Sequence, residues 1–322
     1  MAEPILSIED LRVYYDTLLG PVRAVDGVTL EVPRGEWVSI VGESGSGKST
    51  LAYAIMRLIP PPGRIAGGRI VFEGTDLTSL SGEEMRRVRG RRIGMVFQDP
   101  MASLDPVRRV GDQIGDVYLE HGVASDRREA RRLAGEALEM VGLPASWVDR
   151  YPHQLSGGQR QRVLIAAAVA LKPSLLIADE PTTALDVIVQ DKIMDLIEDL
   201  KRELRMTVVL ITHDIALAAE RSTRIAVMYA GKLVEYGPVD AVVEDPLHPY
   251  TRGLIESAPD LWGEKRLRGI PGYPPDLRRP PSGCRFHPRC PLAVERCRSE
   301  EPRPLRLEGG RLVACHRALE GR

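Results

Sequence analysis

The sequence predicts an α/β fold built around a phosphate-binding loop, and three observations lead to this prediction. A glycine-rich segment at residues 42–50 stands between a short apolar run and a helical pattern. Further short apolar runs end in acidic or amide side chains, as strands do where an α/β sheet presents its chemistry. A charged segment with helical periodicity, residues 110–143, indicates a helical insertion.

The chain begins with two segments that read as antiparallel strands. Residues 5–15 and 24–32 alternate between apolar and polar side chains, and a Gly-Pro turn separates them. Tyr15 stands at the end of the first segment. Periodicity alone favours an ordinary strand residue, although an aromatic ring just before a phosphate loop could also stack on a purine.

The glycine-rich segment has the spacing of a phosphate loop, in which a first glycine is followed after four residues by Gly-Lys-Ser. Three glycines let successive N–H groups face one concavity, and the positive end of the next helix points there. Lys48 is expected to reach the β- and γ-phosphates of a nucleotide, and the Ser49 hydroxyl to bind Mg²⁺. The nucleotide-binding residues predicted in this segment are Gly42, Ser44, Gly45, Ser46, Gly47, Lys48, Ser49 and Thr50.

Two further strands are predicted between the loop and the helical insertion. Residues 67–74 form a short strand between turns, and residues 93–97 form a buried one. Gln98 follows the second strand directly. Its amide oxygen could bind Mg²⁺ or a water molecule beside a nucleotide.

The helical insertion leads into a second glycine-containing helix start at residues 155–162. Ser156 can cap the apolar helix predicted at residues 163–171, and Gly157 and Gly158 leave its first N–H groups accessible. Gln159 follows them. The pattern predicts a second anion-binding helix start that has no lysine of its own.

Two later strands end in groups suited to phosphate chemistry. The apolar run 175–178 ends in Asp179 and Glu180. Asp179 suits the Mg²⁺ shell, and Glu180 suits polarising a water aimed at the γ-phosphate. The β-branched run 207–212 ends in His213, whose imidazole could report whether that phosphate is present.

Composition and charge narrow the class of protein. The chain has 322 residues and 43% hydrophobic content, which predicts one large domain with an appendage. Its net charge of −1 provides no general attraction to nucleic acid, so no nucleic-acid partner is expected. The sequence contains no apolar run long enough to span a membrane and no signal-peptide pattern at its start. A cytosolic location is therefore expected.

These motifs stand in the order found in ATP-binding-cassette (ABC) ATPases, and the chain resembles that family over about residues 5–240. The Leu-Ser-Gly-Gly-Gln signature at residues 155–159 is the family's own. The resemblance implies an ATPase domain over residues 1–240. It would combine a P-loop (RecA-like) core, an antiparallel β subdomain and a helical subdomain at about residues 103–170.

The resemblance also implies roles for particular residues. Tyr15 resembles the aromatic residue that stacks on adenine, and Glu180 resembles the general base. Gln98 resembles the residue that couples Mg²⁺ to the helical subdomain. His213 resembles the switch residue of the family.

In the resembled family two cassettes close head to tail, so that the signature of one caps the ATP of the other. Ser156, Gly157, Gly158 and Gln159 would then serve a partner's nucleotide. Asp186, in the segment Ala-Leu-Asp at residues 184–186, would lie along the seam. The partner is expected to be a second ABC ATPase subunit, usually a different chain in peptide importers.

Residues 241–322 resemble the carboxyl-terminal extension of dipeptide and oligopeptide importer ATPases, which nickel importers of the same group share. The resemblance rests on the segments 248–254 and 283–291 and on Cys297. A proline-rich stretch at residues 271–281 precedes the second segment and is expected to be extended rather than packed.

Four cysteines lie in this extension, separated by five, six and seventeen residues, with no Cys-x-x-Cys pair. Four thiolates in a reducing compartment suit an iron–sulfur cluster, whereas the spacing alone leaves cluster, zinc and free thiols open. The resemblance favours a [4Fe-4S] cluster, with His287 and His316 as alternative ligands. The predicted ligands are Cys284, Cys290, Cys297 and Cys315.

The function implied is that of an ATPase which uses ATP and Mg²⁺ to power import of dipeptides or oligopeptides. Its partners would be two membrane permease subunits and an extracytoplasmic substrate-binding protein, and it would lie on the cytoplasmic face of the membrane as a peripheral subunit. Three alternatives stay open at this point: a nickel importer ATPase, an ABC ATPase acting on nucleic acid or ribosomes, and a module that binds ATP without hydrolysing it.

Overall fold

The computed structural model describes residues 3–183, 185–258 and 269–318, which divide into two compact units. Within these ranges the strands are, in chain order, β1 (Pro4–Thr17), β2 (Gly20–Pro33), β3 (Trp37–Val41), β4 (Gly63–Phe72), β5 (Thr75–Asp76), β6 (Ile93–Val96), β7 (Leu175–Asp179), β8 (Thr207–Thr212), β9 (Arg224–Tyr229), β10 (Lys232–Pro238), β11 (Leu305–Leu307) and β12 (Arg311–Val313).

The helices of the same ranges alternate with the strands in the middle of the chain. They are α1 (Lys48–Ile55), α2 (Gly82–Val88), α3 (Pro100–Ser103), α4 (Val110–Glu120), α5 (Arg127–Met140), α6 (Gly157–Val169), α7 (Val187–Leu204), α8 (Ile215–Arg221), α9 (Val239–Glu244), α10 (Pro249–Ser257) and α11 (Glu295–Ser299). The α/β class predicted from the sequence is confirmed.

The first unit comprises residues 1–79 and 210–322 and contains an antiparallel sheet of order β2-β1-β4-β5. The long hairpin β1–β2 is paired from Pro4↔Pro33 to Thr17↔Gly20. Ile8, Leu11 and Val13 of β1 are fully buried, while the polar residues between them are half-buried or exposed. One apolar face of this sheet therefore packs inward, as alternation in the sequence predicted.

A second set of strands in this unit has the order β11-β12-β10-β9-β3. Strand β3 runs parallel to β9, and β10 runs antiparallel to β9 and to β12. All five residues of β3 are buried, which agrees with its sequence of four apolar residues around Ser39. Because β3 leads directly into the phosphate loop and α1, the loop stands at the carboxyl end of a buried strand.

The carboxyl-terminal residues pack onto this unit rather than apart from it. Strand β12 pairs with β10, and the Arg311 guanidinium lies 2.7 Å from the fully buried Glu235 carboxylate. The proline-rich stretch 271–281 has no helix or strand, as expected. Its predicted lack of packing is wrong, since Leu277 packs against the core and accepts a hydrogen bond from the Arg23 N–H.

The second unit comprises residues 80–209, in which β6 runs parallel to β7 and the helices α3–α6 pack together. On α5 the buried residues Ala130, Ala134, Ala137 and Leu138 recur at helical spacing. Helix α6 begins at Gly157, six residues before the predicted start. Over the described part of the chain, no helix combines the length and apolar character needed to cross a membrane.

Candidate functional site

The phosphate loop owes its shape to two glycines whose conformation and surroundings leave no room for a side chain. Gly42 has φ +152° and Gly47 has φ +101°. A Cβ on Gly42 would lie 2.1 Å from the Met228 carbonyl oxygen, and one on Gly47 would lie 2.1 Å from the Ala24 carbonyl oxygen. The loop is therefore pressed against the neighbouring backbone at both of its ends.

Lys48 begins helix α1 with its ammonium group folded over the loop. Its side chain is buried, and Nζ donates to the Gly42 carbonyl at 2.7 Å and to the Glu43 carbonyl at 3.1 Å. The helix has Gly47 at its N-cap and no side-chain cap, so its first N–H groups are not taken up by a capping side chain. Lysine and helix terminus together suit a polyphosphate.

Two residues of the extension contact this loop, and sequence reasoning gave neither a role. Arg289 binds the Glu43 carboxylate through both guanidinium nitrogens, at 2.7 and 2.9 Å. The Glu43 N–H donates to the Tyr250 hydroxyl at 2.8 Å. The Glu43 carboxylate raises the pKa of Arg289, and burial raises that of Tyr250, so both keep their protons at any physiological pH. Their only signal was membership of the segments that resembled the importer extension.

The predicted base lies in the second unit at the end of β7. Asp179 is fully buried, and Glu180 follows it with φ +44°, an uncommon conformation for a residue with a side chain. The Glu180 carboxylate accepts hydrogen bonds from the Gln98 amide and the Thr183 hydroxyl, both at 3.0 Å. The structure thus brings Gln98 and Glu180 together, while Thr183 was not foreseen.

The signature residues form the first turn of α6 in the same unit. Ser156 caps the helix by accepting from the Gln159 N–H, and the Gln159 side chain accepts from the Ser156 N–H at 2.9 Å. The predicted capping role of Ser156 is confirmed. Gly158 faces the start of α7, where a Cβ would lie 2.6 Å from Val189. Gly158 is therefore needed here for close packing as well as for N–H access.

Two further predicted residues lie in the first unit. Tyr15 is half-buried near the end of β1, and its ring packs so closely on Gly63 that a Cβ there would approach it to 2.6 Å. His213 is exposed directly after β8, next to Asp214, which caps α8.

The predicted seam residue Asp186 lies in the second unit, where it caps α7 by accepting from the Val189 N–H at 3.0 Å. Residue 184 of the predicted seam lies outside the described residues.

The four cysteines, free of disulfides, gather around one small cavity. Burial raises the pKa of Cys284 to about 11 and also raises those of Cys290 and Cys315. His248 lines the same cavity and is 1% exposed. Its Nδ1 accepts the Tyr250 N–H, so Nε2 carries the proton, and this buried donor has no hydrogen-bond partner among the residues that the structure describes.

These side chains suit an iron–sulfur cluster, because four thiols line one apolar cavity as possible iron ligands. The His248 N–H also lies at this cavity and could donate a hydrogen bond to a cluster sulfur. Within the described ranges, however, no three His, Cys, Asp or Glu side chains are already arranged to hold a metal ion. The iron–sulfur assignment accordingly stays a proposal.

Comparison with known proteins defines the class. Residues 25–183 match the ABC transporter family, and residues 234–297 match the carboxyl-terminal region of oligopeptide/dipeptide transporters. A dimeric ATP-binding cassette bound to ADP and Pi superposes with TM-score 0.65 at 33% identity, over 73% of this chain and 98% of that one. A cassette of a Clostridium perfringens ABC transporter complex has TM-score 0.64 at 30% identity, over 76% and 92%. The chain is an ABC transporter ATPase.

Full-length relatives define the group more closely. A dipeptide transport ATP-binding protein of Caldanaerobacter subterraneus is 46% identical over 99% of this chain and 98% of its own. An oligopeptide transport ATP-binding protein of Bacillus subtilis is 49% identical over 92% and 84%. The Escherichia coli dipeptide transport ATP-binding protein is 46% identical over 98% and 97%. The chain belongs to the oligopeptide/dipeptide family of ABC transporter ATP-binding proteins.

Proposed function

We propose that this chain hydrolyses ATP to power the import of dipeptides or oligopeptides through an ABC transporter. The observation that carries the proposal is one unit holding both an intact phosphate loop and the importer-type extension, in direct contact through Glu43 and Arg289. The names of the full-length relatives support peptide as the cargo. The nickel and nucleic-acid alternatives have no such support.

Catalysis would consist mainly of positioning and charge stabilisation. The loop N–H groups and Lys48 would hold the phosphates, and Glu180 would orient and polarise the attacking water. Ser49, Gln98 and Asp179 are proposed to hold Mg²⁺, which would supply charge neutralisation at the phosphates. The hydrogen bond from Gln98 to Glu180 supports a link between base and helical subdomain.

A second cassette is proposed to complete the site by presenting its signature to this chain's nucleotide. Next to the signature, at the start of α7, Val187 and Ile188 are 73% and 69% exposed. Two adjacent exposed β-branched side chains suit a surface that becomes covered. The dimeric form of the superposed cassette supports this arrangement. The partner is proposed to be a different chain of the same family.

Two permease subunits and an extracytoplasmic binding protein complete the proposed assembly, with this chain on the cytoplasmic face of the membrane. The decisive experiment is affinity purification from membranes, followed by reconstitution and uptake of a labelled dipeptide. Two polytopic subunits should co-purify, and uptake should require ATP. The Glu180→Gln variant is the control, since it should assemble without transporting. Uptake of nickel instead of peptide, or co-purification of ribosomes, would establish an alternative.

The four cysteines are proposed to hold a [4Fe-4S] cluster, which would supply a rigid sulfur-rich core to the extension. The test is anaerobic purification with an absorption spectrum and metal analysis, comparing the wild type with Cys290→Ser. A broad band at about 400 nm and about four irons per chain would support the cluster. Stoichiometric zinc, or no metal, would contradict it and leave the ATPase proposal intact.

A further inference from the structure

Glu43, the second residue of the phosphate loop, is held at three of its groups. Its carboxylate accepts two charge-assisted hydrogen bonds from Arg289, at 2.7 Å and 2.9 Å. Its N–H donates to the Tyr250 hydroxyl at 2.8 Å, and its carbonyl accepts from Lys48 at 3.1 Å. Two of these three partners belong to the carboxyl-terminal extension, so the extension helps to define the loop's conformation.

Arg289 is itself firmly placed. Its side chain is 5% exposed, and Nε donates to the Pro271 carbonyl at 2.8 Å. The guanidinium carbon lies 5.7 Å from the ring centroid of Tyr229 and 6.0 Å from that of Phe286. These contacts orient the planar guanidinium. Its two hydrogen bonds to the Glu43 carboxylate therefore fix the direction of the Glu43 side chain and place a positive charge beside it.

Tyr250 supplies a second point of attachment that rests on the same aromatic cluster. It is fully buried, with its ring centroid 4.6 Å from that of Tyr229 and 5.4 Å from that of Phe286. Its own N–H is fixed by His248 at 3.1 Å. The hydroxyl that accepts from Glu43 is therefore held in place by burial of the ring and by its packing against two aromatic neighbours.

The same short segment that carries Arg289 also carries two of the thiols. Cys284 and Cys290 stand at its ends, and each has an arginine as its neighbour within the segment. Arg285, 7% exposed along its side chain, binds the Asp26 carboxylate of β2. Arg289 binds the phosphate loop. The cysteine-bearing segment is thus attached to strand β2 near one end and to the phosphate loop near the other.

We propose that Arg289 is a positioning residue for ATP binding, acting through Glu43 on the phosphate loop. It does not need to touch the nucleotide. Its contact with Glu43 keeps the loop in the conformation that presents its N–H groups to the phosphates. A loop that is competent only about a tenth of the time binds about tenfold more weakly, which sets the expected size of the effect. The inference rests on the nucleotide site proposed above.

The test is equilibrium binding of a fluorescent ATP analogue with Mg²⁺ to the full chain. Arg289→Met should weaken binding about tenfold, and Arg289→Lys should recover part of the loss because it restores the charge without the two-point geometry. In a Glu43→Gln background, Arg289→Met should add less than about twofold, since both substitutions remove the same contact. In the ATPase assay KM should rise more than kcat falls.

Arg298→Met is the matched control, because Arg298 is a 65% exposed arginine of the same extension, 3.7 Å from Glu295. The affinity of Arg298→Met for the ATP analogue should stay within about twofold of the wild-type affinity. An Arg289→Met protein that melts like the wild type and binds ATP equally well would overturn the inference, as would additive losses in the double variant.

If the Arg289→Met variant does not fold, the Glu43→Gln variant tests the inference by itself. It removes the carboxylate from the loop side, where the Glu43 side chain is 28% exposed, and it leaves the sequence of the extension unchanged. Unaltered affinity in that variant would also overturn the inference. Failure of the wild type to bind Mg·ATP would instead refute the proposed nucleotide site, so the two failures are distinguishable.

Discussion

Replacement of Glu180 by glutamine tests the proposed chemistry with the least structural change. The Glu180 carboxylate accepts hydrogen bonds from Gln98 and Thr183, each at 3.0 Å and both to the same oxygen. The glutamine carbonyl oxygen can accept both, so the local structure is expected to survive. The substitution removes the basic carboxylate oxygen that would polarise the attacking water. General-base catalysis contributes about 10²–10⁴-fold, or roughly 3 to 5 kcal/mol of transition-state stabilisation.

Phosphate release at saturating Mg·ATP measures this loss, and retention of labelled ATP on the protein measures binding. We expect kcat to fall by about 10²–10⁴-fold while ATP stays bound. Thr183→Val is the matched control, because it removes one neutral hydrogen bond to the same oxygen and should cost no more than about fivefold. A Glu180→Gln protein that binds ATP and hydrolyses it at nearly the wild-type rate would refute the assignment of the base.

Two further predictions concern the loop and the pH dependence of stability. Gly47→Ala should abolish nucleotide binding, because its Cβ would lie 2.1 Å from the Ala24 carbonyl oxygen, whereas Gly45→Ala, with φ +78° and no atom within 4 Å, should weaken binding far less. Titration with Mg·ATP checks both, and equal losses would contradict the argument from close approach. Burial raises the pKa of Tyr236 to about 12, and its hydroxyl donates to the Glu31 carbonyl. The folded state therefore binds more protons than the unfolded state between pH 10 and about 12, and stability should fall as pH rises through that window. Urea unfolding should show this fall in the wild type and less of it in Tyr236→Phe.

Contiguous motifs could be predicted because their chemistry is local. The phosphate loop is one segment whose glycines, lysine and serine act together, and Ser156 caps the helix that follows it directly. Strands with mostly apolar sequence, such as β3 and β7, were predicted because burial on both faces leaves that pattern. Helix boundaries were less accurate. Periodicity detects only the apolar part of α6, while its first turn consists of glycine and polar residues.

Packing of the extension could not be predicted from local pattern. The proline-rich stretch has the composition of an extended linker, and composition says nothing about a surface that can receive it. In the structure Leu277 finds such a surface, and the Arg23 N–H pairs with its carbonyl. The cysteine spacing likewise left cluster, zinc and free thiols open, and only the fold gathers the four thiols at one cavity with His248.

The sequence by itself determined the α/β class, the phosphate loop, the signature helix and the position of the acidic residues at the end of β7, because each is encoded within a few neighbouring residues. The tertiary structure alone decided that Arg289 meets Glu43, 246 residues away, and that Arg285 meets Asp26, 259 residues away. The chain has 44 lysines and arginines and 45 acidic residues, so charge offers many possible pairs. Only the burial of the extension against β9 and β10 selects the pairs Arg289–Glu43 and Arg285–Asp26. A buried guanidinium requires a carboxylate within reach, and packing decides which carboxylate that is.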